Sequence, residues 1–288
     1  MLNSIHSDVA GIERAPQSET KHIANVAPNG FDDLLAVYRL MFDDLDAIGK
    51  RDAAFLDEII RPKFGSKGQV IDVTCGIGTQ CLGLAALGYT VTGCDLSPAA
   101  IASTRREAIR RGLELQLKVA DVRELHTVAE SDFDVAISLG NSLPMLLSDS
   151  DVIAALWQIR EKLSPGGLFV AGIRDYSKAI QERPTRLDEV MICDDEGEWR
   201  LAYQFWLWTG KANYTSLVNI HRENGEKYHE TVSCRALLPD ELEAALNSAG
   251  FTNIRWLETN SADRPRGVYS SGFSQLIVAA ERPATLPH

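Results

Sequence analysis

The chain has 288 residues, 45% of them hydrophobic and 24% charged, enough to bury a core without disulfide or metal staples. A formal net charge of −11 and the lack of a Lys/Arg-rich tract speak against a polyanionic partner, so no nucleic acid is expected. Five scattered cysteines without a CxxC pair suggest neither a disulfide framework nor zinc, and no apolar run suits a signal peptide or membrane span, so the chain reads as reduced and cytoplasmic.

Residues 1–29 are polar and aperiodic and read as a flexible N-terminal arm. Residues 30–65 turn helical. Leu34, Leu35, Tyr38, Leu40, Met41 and Phe42 form one apolar face, Phe55, Leu56, Ile59 and Ile60 a second, and Pro62 and Gly65 end the region. An alternation follows: strand Gln69–Val73, helix Gln80–Leu87, strand Val91–Cys94, helix Pro98–Arg111, strand Leu115–Ala120, strand Phe133–Ser138 and helix Asp149–Leu163 with Ser148 as N-cap. Pro165-Gly-Gly167 turns into strand Leu168–Ile173. This order predicts an α/β fold with a Rossmann-like, mostly parallel sheet and helices on both faces.

After Tyr176 the texture changes. Glu189–Cys193, Leu201–Trp208, Thr215–Arg222 and Tyr228–Ala236 are rich in β-branched and aromatic residues and punctuated by Gly197, Gly210 and Asn224-Gly225. They predict an antiparallel β meander over 181–236, inserted into a core of 66–180 and 237–283. Helix Pro239–Ala249 and strands Asn253–Leu257 and Ser274–Ala280 complete that core.

The chemistry concentrates in Asp72-Val-Thr74-Cys75-Gly76-Ile-Gly78-Thr-Gln80, between a strand and a helix. Glycines there let the backbone approach a ligand, and the helix N-terminus offers unpaired N–H groups. A dinucleotide fingerprint would want a small third residue where Cys81 stands, so a nicotinamide-dependent oxidoreductase fits imperfectly. Asp95, followed by Leu96, ends strand two, where a carboxylate can accept from both ribose hydroxyls. Asp121, followed by Val122, follows strand three, within reach of an adenine amino group.

With Leu139-Gly-Asn141-Ser after strand four and Pro165-Gly-Gly before strand five, these motifs resemble the class I S-adenosylmethionine-dependent methyltransferases over about Ile71–Ile173. That resemblance implies a seven-stranded sheet and S-adenosylmethionine as cofactor. A closer likeness is to the glycine and sarcosine N-methyltransferases, carried by Leu139-Gly-Asn-Ser and Ile173-Arg-Asp-Tyr176. It implies Arg174 as holder of a substrate carboxylate, Tyr38 and Arg51 near the methionine part of the cofactor, and Tyr269 in the pocket wall. It also implies that residues 30–65 cap the cofactor site, and it is compatible with a homo-oligomer joined through the arm. Thr74 replaces a glycine common in such turns. Pro144-Met145 and Asp175 depart from the closer family where the acceptor sits, which speaks against glycine itself and not against methyl transfer.

A small-molecule methyl acceptor is expected, an amine of an amino-acid-like or secondary metabolite first and an O- or C-nucleophile second. A non-catalytic binder is the third reading. Tyr38, Asp175, Tyr176 and Tyr269 are the candidate bases, the meander is the expected lid, and Trp206 and Trp208 share one of its faces. His221 and His229 read as surface residues of the meander. Cys75 has no base beside it and reads as a tight-turn residue rather than a nucleophile.

Overall fold

A helix of twenty residues, α1 (Leu45–Phe64), begins where the Asp44 carboxylate accepts from the Ala47 N–H at 2.8 Å. It runs through Pro62, which stands in the last turn and removes only one backbone bond there, and stops at Gly65, whose φ of 73° suits a glycine. The sequence reading ended this region at both residues; the glycine is the terminator. In this computed structural model the described residues are 39–42, 44–187, 189–193, 197–257 and 275–284. The arm over 1–29, Tyr38 and Tyr269 lie outside them.

The core sheet comprises β1 (Gln69–Asp72), β2 (Thr90–Asp95), β3 (Gln116–Val119), β4 (Phe133–Ser138), β5 (Leu163–Arg174), β10 (Thr252–Leu257) and β11 (Gln275–Glu281). Its seven strands run in the order β10-β11-β5-β4-β1-β2-β3. The pairs from β5 through β3 are parallel, and β11 is antiparallel to both its neighbours. Near-continuous apolar runs such as Ala136-Ile137 and Phe169-Val-Ala171 are buried because both faces of the sheet are covered. On one face lie α1, α2 (Thr79–Ala86) and α3 (Pro98–Arg111), through Leu56, Ile60, Leu82, Leu84 and Ile101. On the other lie α4 (Asp149–Lys162) and α6 (Pro239–Ser248), through Leu156, Ile159, Leu242 and Leu246. The Ser148 hydroxyl caps α4 as expected, accepting from the Asp151 N–H at 3.1 Å. Pro165-Gly-Gly is not a separate turn: β5 already pairs at Leu163, and the register slips to Leu168 on the next pairing, so these residues bulge out of the strand.

α1 seats directly on the start of α2. A Cβ at Gly49 would come within 2.7 Å of the Thr79 carbonyl oxygen, and one at Gly83 within 2.5 Å of the Gly49 carbonyl oxygen. Gly49→Ala must therefore push the helices apart, and we expect about 1–3 kcal/mol of lost stability, read as a lower urea midpoint with an unchanged slope.

A second sheet contains β6 (Val190–Cys193), β7 (Trp199–Trp208), β8 (Asn213–Arg222) and β9 (Lys227–Arg235), all antiparallel in the order β6-β7-β8-β9. Its inner face alternates Ala202, Gln204 and Trp206 with Tyr214, Ser216, Val218 and Ile220 from the next strand, all buried. One part packs on Met41, the other on Tyr176 and Ala179. Arg200 ties the segment before α1 to this sheet by donating to the Leu40 and Phe42 carbonyls at 2.7 Å each. The short helix α5 (Ser177–Glu182) was not foreseen: six residues are too few to show a helical period.

Candidate active site

Because β1 to β5 run parallel, the residues that follow them collect at one edge of the sheet, the place where α/β folds hold ligands. Backbone bonds extend past the strand ends: Val73 N–H to the Ile137 carbonyl at 3.0 Å, Cys75 to Cys94 at 2.8 Å and Ala120 to Asp95 at 2.9 Å. They fix the start of each loop.

The turn after β1 needs its glycines. Gly76 and Gly78 have φ of 52° and 88°. Beside the Gly76 Cα, where a Cβ would stand, the space is open, whereas a Cβ on Gly78 would meet Thr104 Cγ2 at 2.6 Å. The Asp95 carboxylate accepts from the Gly76 N–H at 2.8 Å and from the Ser97 N–H at 2.9 Å, tying the turn to the end of β2. The Thr104 hydroxyl donates to the Gly76 carbonyl at 2.9 Å, and the Thr74 and Ser138 hydroxyls lie 3.0 Å apart, so α3 and β4 brace the turn as well.

Asp72 is buried at the end of β1. Its Oδ1 accepts from the Thr74 N–H at 3.3 Å, while Oδ2 is buried with no hydrogen-bond partner among the described residues. Burial, with a smaller push from Asp95, raises its carboxyl to about 8. The Cys75 thiol is pushed well above its ordinary value by its bond with Cys81 and by burial, which suits a turn residue and not a nucleophile.

Arg51, on α1, donates to Asp52 at 2.8 Å, and Asp52 accepts from Gln80 Nε2 at 2.9 Å, so Arg51 is anchored beside the first turn of α2. Leu96 is 46% exposed at the lip of β2, Val122 is half-buried and Leu139 is buried. Asp121 caps the turn at Val122 and is paired with Arg123 at 2.6 Å. Burial acts to raise its pKa, but the bonds from Arg123 outweigh that and hold it below the usual value. That pairing was not foreseen.

Across β4 the loop Leu139-Gly-Asn-Ser carries Asn141 at φ 69°. Its Oδ1 accepts from the Arg174 N–H at 2.8 Å and its Nδ2 donates to the Tyr176 hydroxyl at 2.8 Å. Tyr176 in turn lies 2.9 Å from the Tyr214 hydroxyl on β8. Asn141, Tyr176 and Tyr214 thus form one hydrogen-bonded chain that joins the loop to the second sheet. Burial raises both phenols, so they stay neutral hydroxyls. The Arg174 guanidinium is buried against aromatic faces, its carbon 5.0 Å from the Trp206 ring centroid and 5.9 Å from that of Tyr176. Trp206 stacks on Tyr214 with centroids 4.2 Å apart, and Trp208 packs on the same ring at 5.2 Å. Asp175 accepts from the Ser177 N–H at 3.0 Å, starting α5. On the outer face His221 meets the Tyr203 hydroxyl and His229 meets Asn219, far from this constellation in the sheet pattern.

The sequence reading had singled out Asn141, Arg174, Tyr176 and Trp206 one by one, and the structure brings these four together. It passed over Tyr214, Gln204 and Ser216. Their one visible signal is that polar residues occupy the inward positions of β7 and β8 beside Trp206.

Two features fit S-adenosylmethionine without reference to any relative: an orphaned buried carboxylate at Asp72 and open space beside the Gly76 backbone. The family described as "Methyltransferase domain" matches residues 70–167, the span from β1 to the bulge of β5. The chain is an S-adenosylmethionine-dependent methyltransferase. This methyltransferase is 28% identical over 235 residues to YqeM of Bacillus subtilis (strain 168), named as a methyltransferase, a match covering 79% of this chain and 89% of that one. It is also 28% identical over 184 residues to the ubiquinone biosynthesis O-methyltransferase of Chelativorans sp. (strain BNC1), covering 64% and 58% of the two chains. Among solved structures, the SAM-bound amino pentose methyltransferase CalS10 of Micromonospora echinaspora shares the fold with a TM-score of 0.64 at 20% identity, over 91% of this chain and all of that one. No helix among the described residues is long and apolar enough to cross a membrane.

Proposed function

We propose that this methyltransferase methylates an amine nitrogen of a small, amino-acid-like or secondary-metabolite acceptor in the cytoplasm, as the likeness to glycine and sarcosine N-methyltransferases implies. The observation that carries this reading is the buried Arg174 guanidinium at the end of β5, flanked by Trp206 and Tyr176, on a residue whose backbone N–H donates to Asn141. A buried planar cation beside the cofactor edge suits a bidentate hold on a carboxylate. CalS10 is named for an amino sugar acceptor, which agrees with a nitrogen nucleophile. O-methylation is the second reading, favoured by the O-methyltransferase relative.

In this reading the cofactor lies along the edge from Arg51 to Leu139. Asp95 accepts from its ribose hydroxyls, Leu96 and Val122 cover its adenine, and Asp121 shares its carboxylate between Arg123 and the adenine amino group. Asp72 and the backbone at Thr74, Cys75, Gly76 and Gly78 face its methionine part. S-adenosylmethionine supplies an electrophilic methyl group on a sulfonium. The protein aligns a lone pair with it, and such alignment alone contributes about 7–11 kcal/mol. β4 separates β1 from β5, so the Gly76 turn and Arg174 stand about two strand spacings, roughly 10 Å, apart, with Asn141 between them. That gap holds a small acceptor. The second sheet, as a lid, excludes water from it. Tyr176 serves to position Asn141, and Asp175, Tyr38 and Tyr269 stay the candidates to take the amine proton.

Arg174→Ala and Arg174→Lys are expected to lower kcat/KM for carboxylate-bearing amines about 10- to 100-fold and for neutral amines less than threefold, with S-adenosylmethionine affinity unchanged. Equal losses for both acceptor classes would contradict the carboxylate hold.

A further inference from the structure

The inner face of the second sheet carries one polar group that its surroundings leave unsatisfied. Gln204, on β7, is fully buried. Its Oε1 accepts from Trp206 Nε1 at 3.3 Å and from the Ser216 hydroxyl at 3.2 Å. An indole N–H can only donate, so the atom facing it is the oxygen and the amide orientation is determined. Nε2, with two hydrogens to give, therefore points away from Trp206 and Ser216 and has no partner among the described residues. Native cores rarely keep a buried amide donor unpaired, because nothing repays its lost water.

The place of this amide says what it is for. Along the sheet it stands between an apolar cluster around Met41, Val218 and Ile220 and another around Tyr176, Trp206 and Tyr214. Trp206, whose N–H orients it, is also the ring that carries the Arg174 guanidinium at 5.0 Å. Gln204 and Arg174 thus address two parts of one indole, one from the lid and one from the end of β5.

We propose that Gln204 is a specificity-determining residue of the acceptor pocket, and that its Nε2 donates to an oxygen of the methyl acceptor, either a carbonyl or carboxylate oxygen or a hydroxyl. The proposal rests on the acceptor site at Arg174 and names a second contact within it. A site with a buried donor discriminates strongly, because an analogue lacking the oxygen leaves the donor unpaired again. An apolar pocket of the same shape discriminates weakly. The group that binds the acceptor oxygen is supplied by the lid, so recognition and water exclusion are coupled in one element.

The test uses methyl-labelled S-adenosylmethionine with matched pairs of amines: an amino acid and its decarboxylated amine, an amino sugar and its deoxy analogue. Wild type is compared with Gln204→Met, which keeps length and removes the donor, with Gln204→Glu, which keeps Oε1 and replaces the donor by an acceptor, and with Ser216→Ala, which removes a bond to Oε1 and leaves Nε2 untouched. Gln204→Met and Gln204→Glu are expected to lower kcat/KM about 10- to 100-fold for the oxygen-bearing member of the preferred pair and less than threefold for the other, so the wild-type preference collapses. Ser216→Ala keeps that preference. Cofactor affinity stays within twofold in all three, which shows that they fold. The proposal is overturned if the Gln204 variants keep the preference, as they would were the donor merely satisfied by a water, if they weaken both members alike, or if Ser216→Ala collapses the preference as well. A wild type that binds S-adenosylmethionine and methylates no amine overturns the acceptor reading beneath it. A wild type that methylates amines, with a preference indifferent to Gln204, overturns this inference alone.

Discussion

Gly78→Ala is expected to cost about 2–5 kcal/mol of folding stability and to abolish measurable cofactor binding. Two penalties add. At φ 88° an L side chain is strained by about 1–2 kcal/mol. The new Cβ would also stand 2.6 Å from Thr104 Cγ2 and 2.8 Å from Leu82 Cδ1, overpacking worth about 1–3 kcal/mol. Thr104 cannot retreat freely, because its hydroxyl holds the Gly76 carbonyl. Gly76→Ala makes the informative contrast. At φ 52° it bears a similar backbone strain, but among the described residues, its chain neighbours aside, no atom lies within 4 Å of the added Cβ. It should fold with a loss of about 1 kcal/mol and still bind S-adenosylmethionine at least tenfold more weakly, because the methyl group fills space the ligand needs. Urea unfolding and titration calorimetry on the two variants separate the effects. Equal destabilisation, or unchanged affinity in Gly76→Ala, would count against the turn as the cofactor seat.

The second large effect concerns Asp72. Its carboxyl is raised by burial, and secondarily by Asp95, from an ordinary 3.8 to about 8. The sign follows from which state holds the proton. Below pH about 4 both folded and unfolded chains are protonated here and the group gives no pH dependence. Between about 4 and 8 the unfolded chain loses the proton and the folded chain keeps it, so this group makes stability fall as pH rises; above about 8 the fall is complete. A shift of this size corresponds to on the order of 5 kcal/mol. Asp72→Asn removes the term. The variant is therefore expected to be more stable than wild type near pH 8, by a margin that shrinks toward pH 4, as read from melting temperatures across that range.

Cofactor affinity should move the opposite way. The Asp72 oxygen left without a partner is the natural acceptor for a donor on a cationic ligand, and a cation beside it returns the pKa toward normal. Binding at pH 7 should release up to about one proton, visible in calorimetry as a heat that depends on the buffer's ionisation enthalpy. Asp72→Asn should lose both the proton release and at least tenfold in affinity. Buffer-independent heats in wild type would show that Asp72 does not ionise on binding.

Much of the core could be read before the fold was seen, for local reasons. Helix Pro98–Arg111 lies between a serine cap and a left-handed glycine, Ser97 and Gly112, and the sequence shows both. Strand Phe133–Ser138 follows from a short apolar run, and the four meander strands follow from their β-branched and aromatic content and their turn residues. The helix α1 runs past Pro62 because a proline in a last turn costs little, and it ends at Gly65, whose N–H bonds back to the Arg61 carbonyl. The edge proposed for the cofactor was legible because parallel strands deliver Asp72, Asp95, Asp121 and Leu139 to one side whatever else the chain does. The side proposed for the acceptor was legible only in fragments. Tyr214 meets Trp206 and Trp208 through a register that pairs Trp206 with Ser216 and Trp208 with Tyr214, and no pattern within one strand reveals that register. The same holds for Gln204, whose meaning lies in an amide hydrogen left over after Trp206 and Ser216 have been counted. Asp121 was read for adenine without its ion pair to Arg123, since a salt bridge two residues away looks like ordinary surface charge.

The most direct measurement is transfer of an isotopically labelled methyl group from S-adenosylmethionine to a panel of small amines, amino acids and phenols, read out by product mass, with the demethylated cofactor quantified in parallel. A labelled methyl on an amine nitrogen, with one equivalent of S-adenosylhomocysteine per methyl and loss of both in Gly76→Ala, is the predicted result. Absence of micromolar binding of S-adenosylmethionine, or label appearing on no small molecule while the cofactor binds tightly, would contradict it.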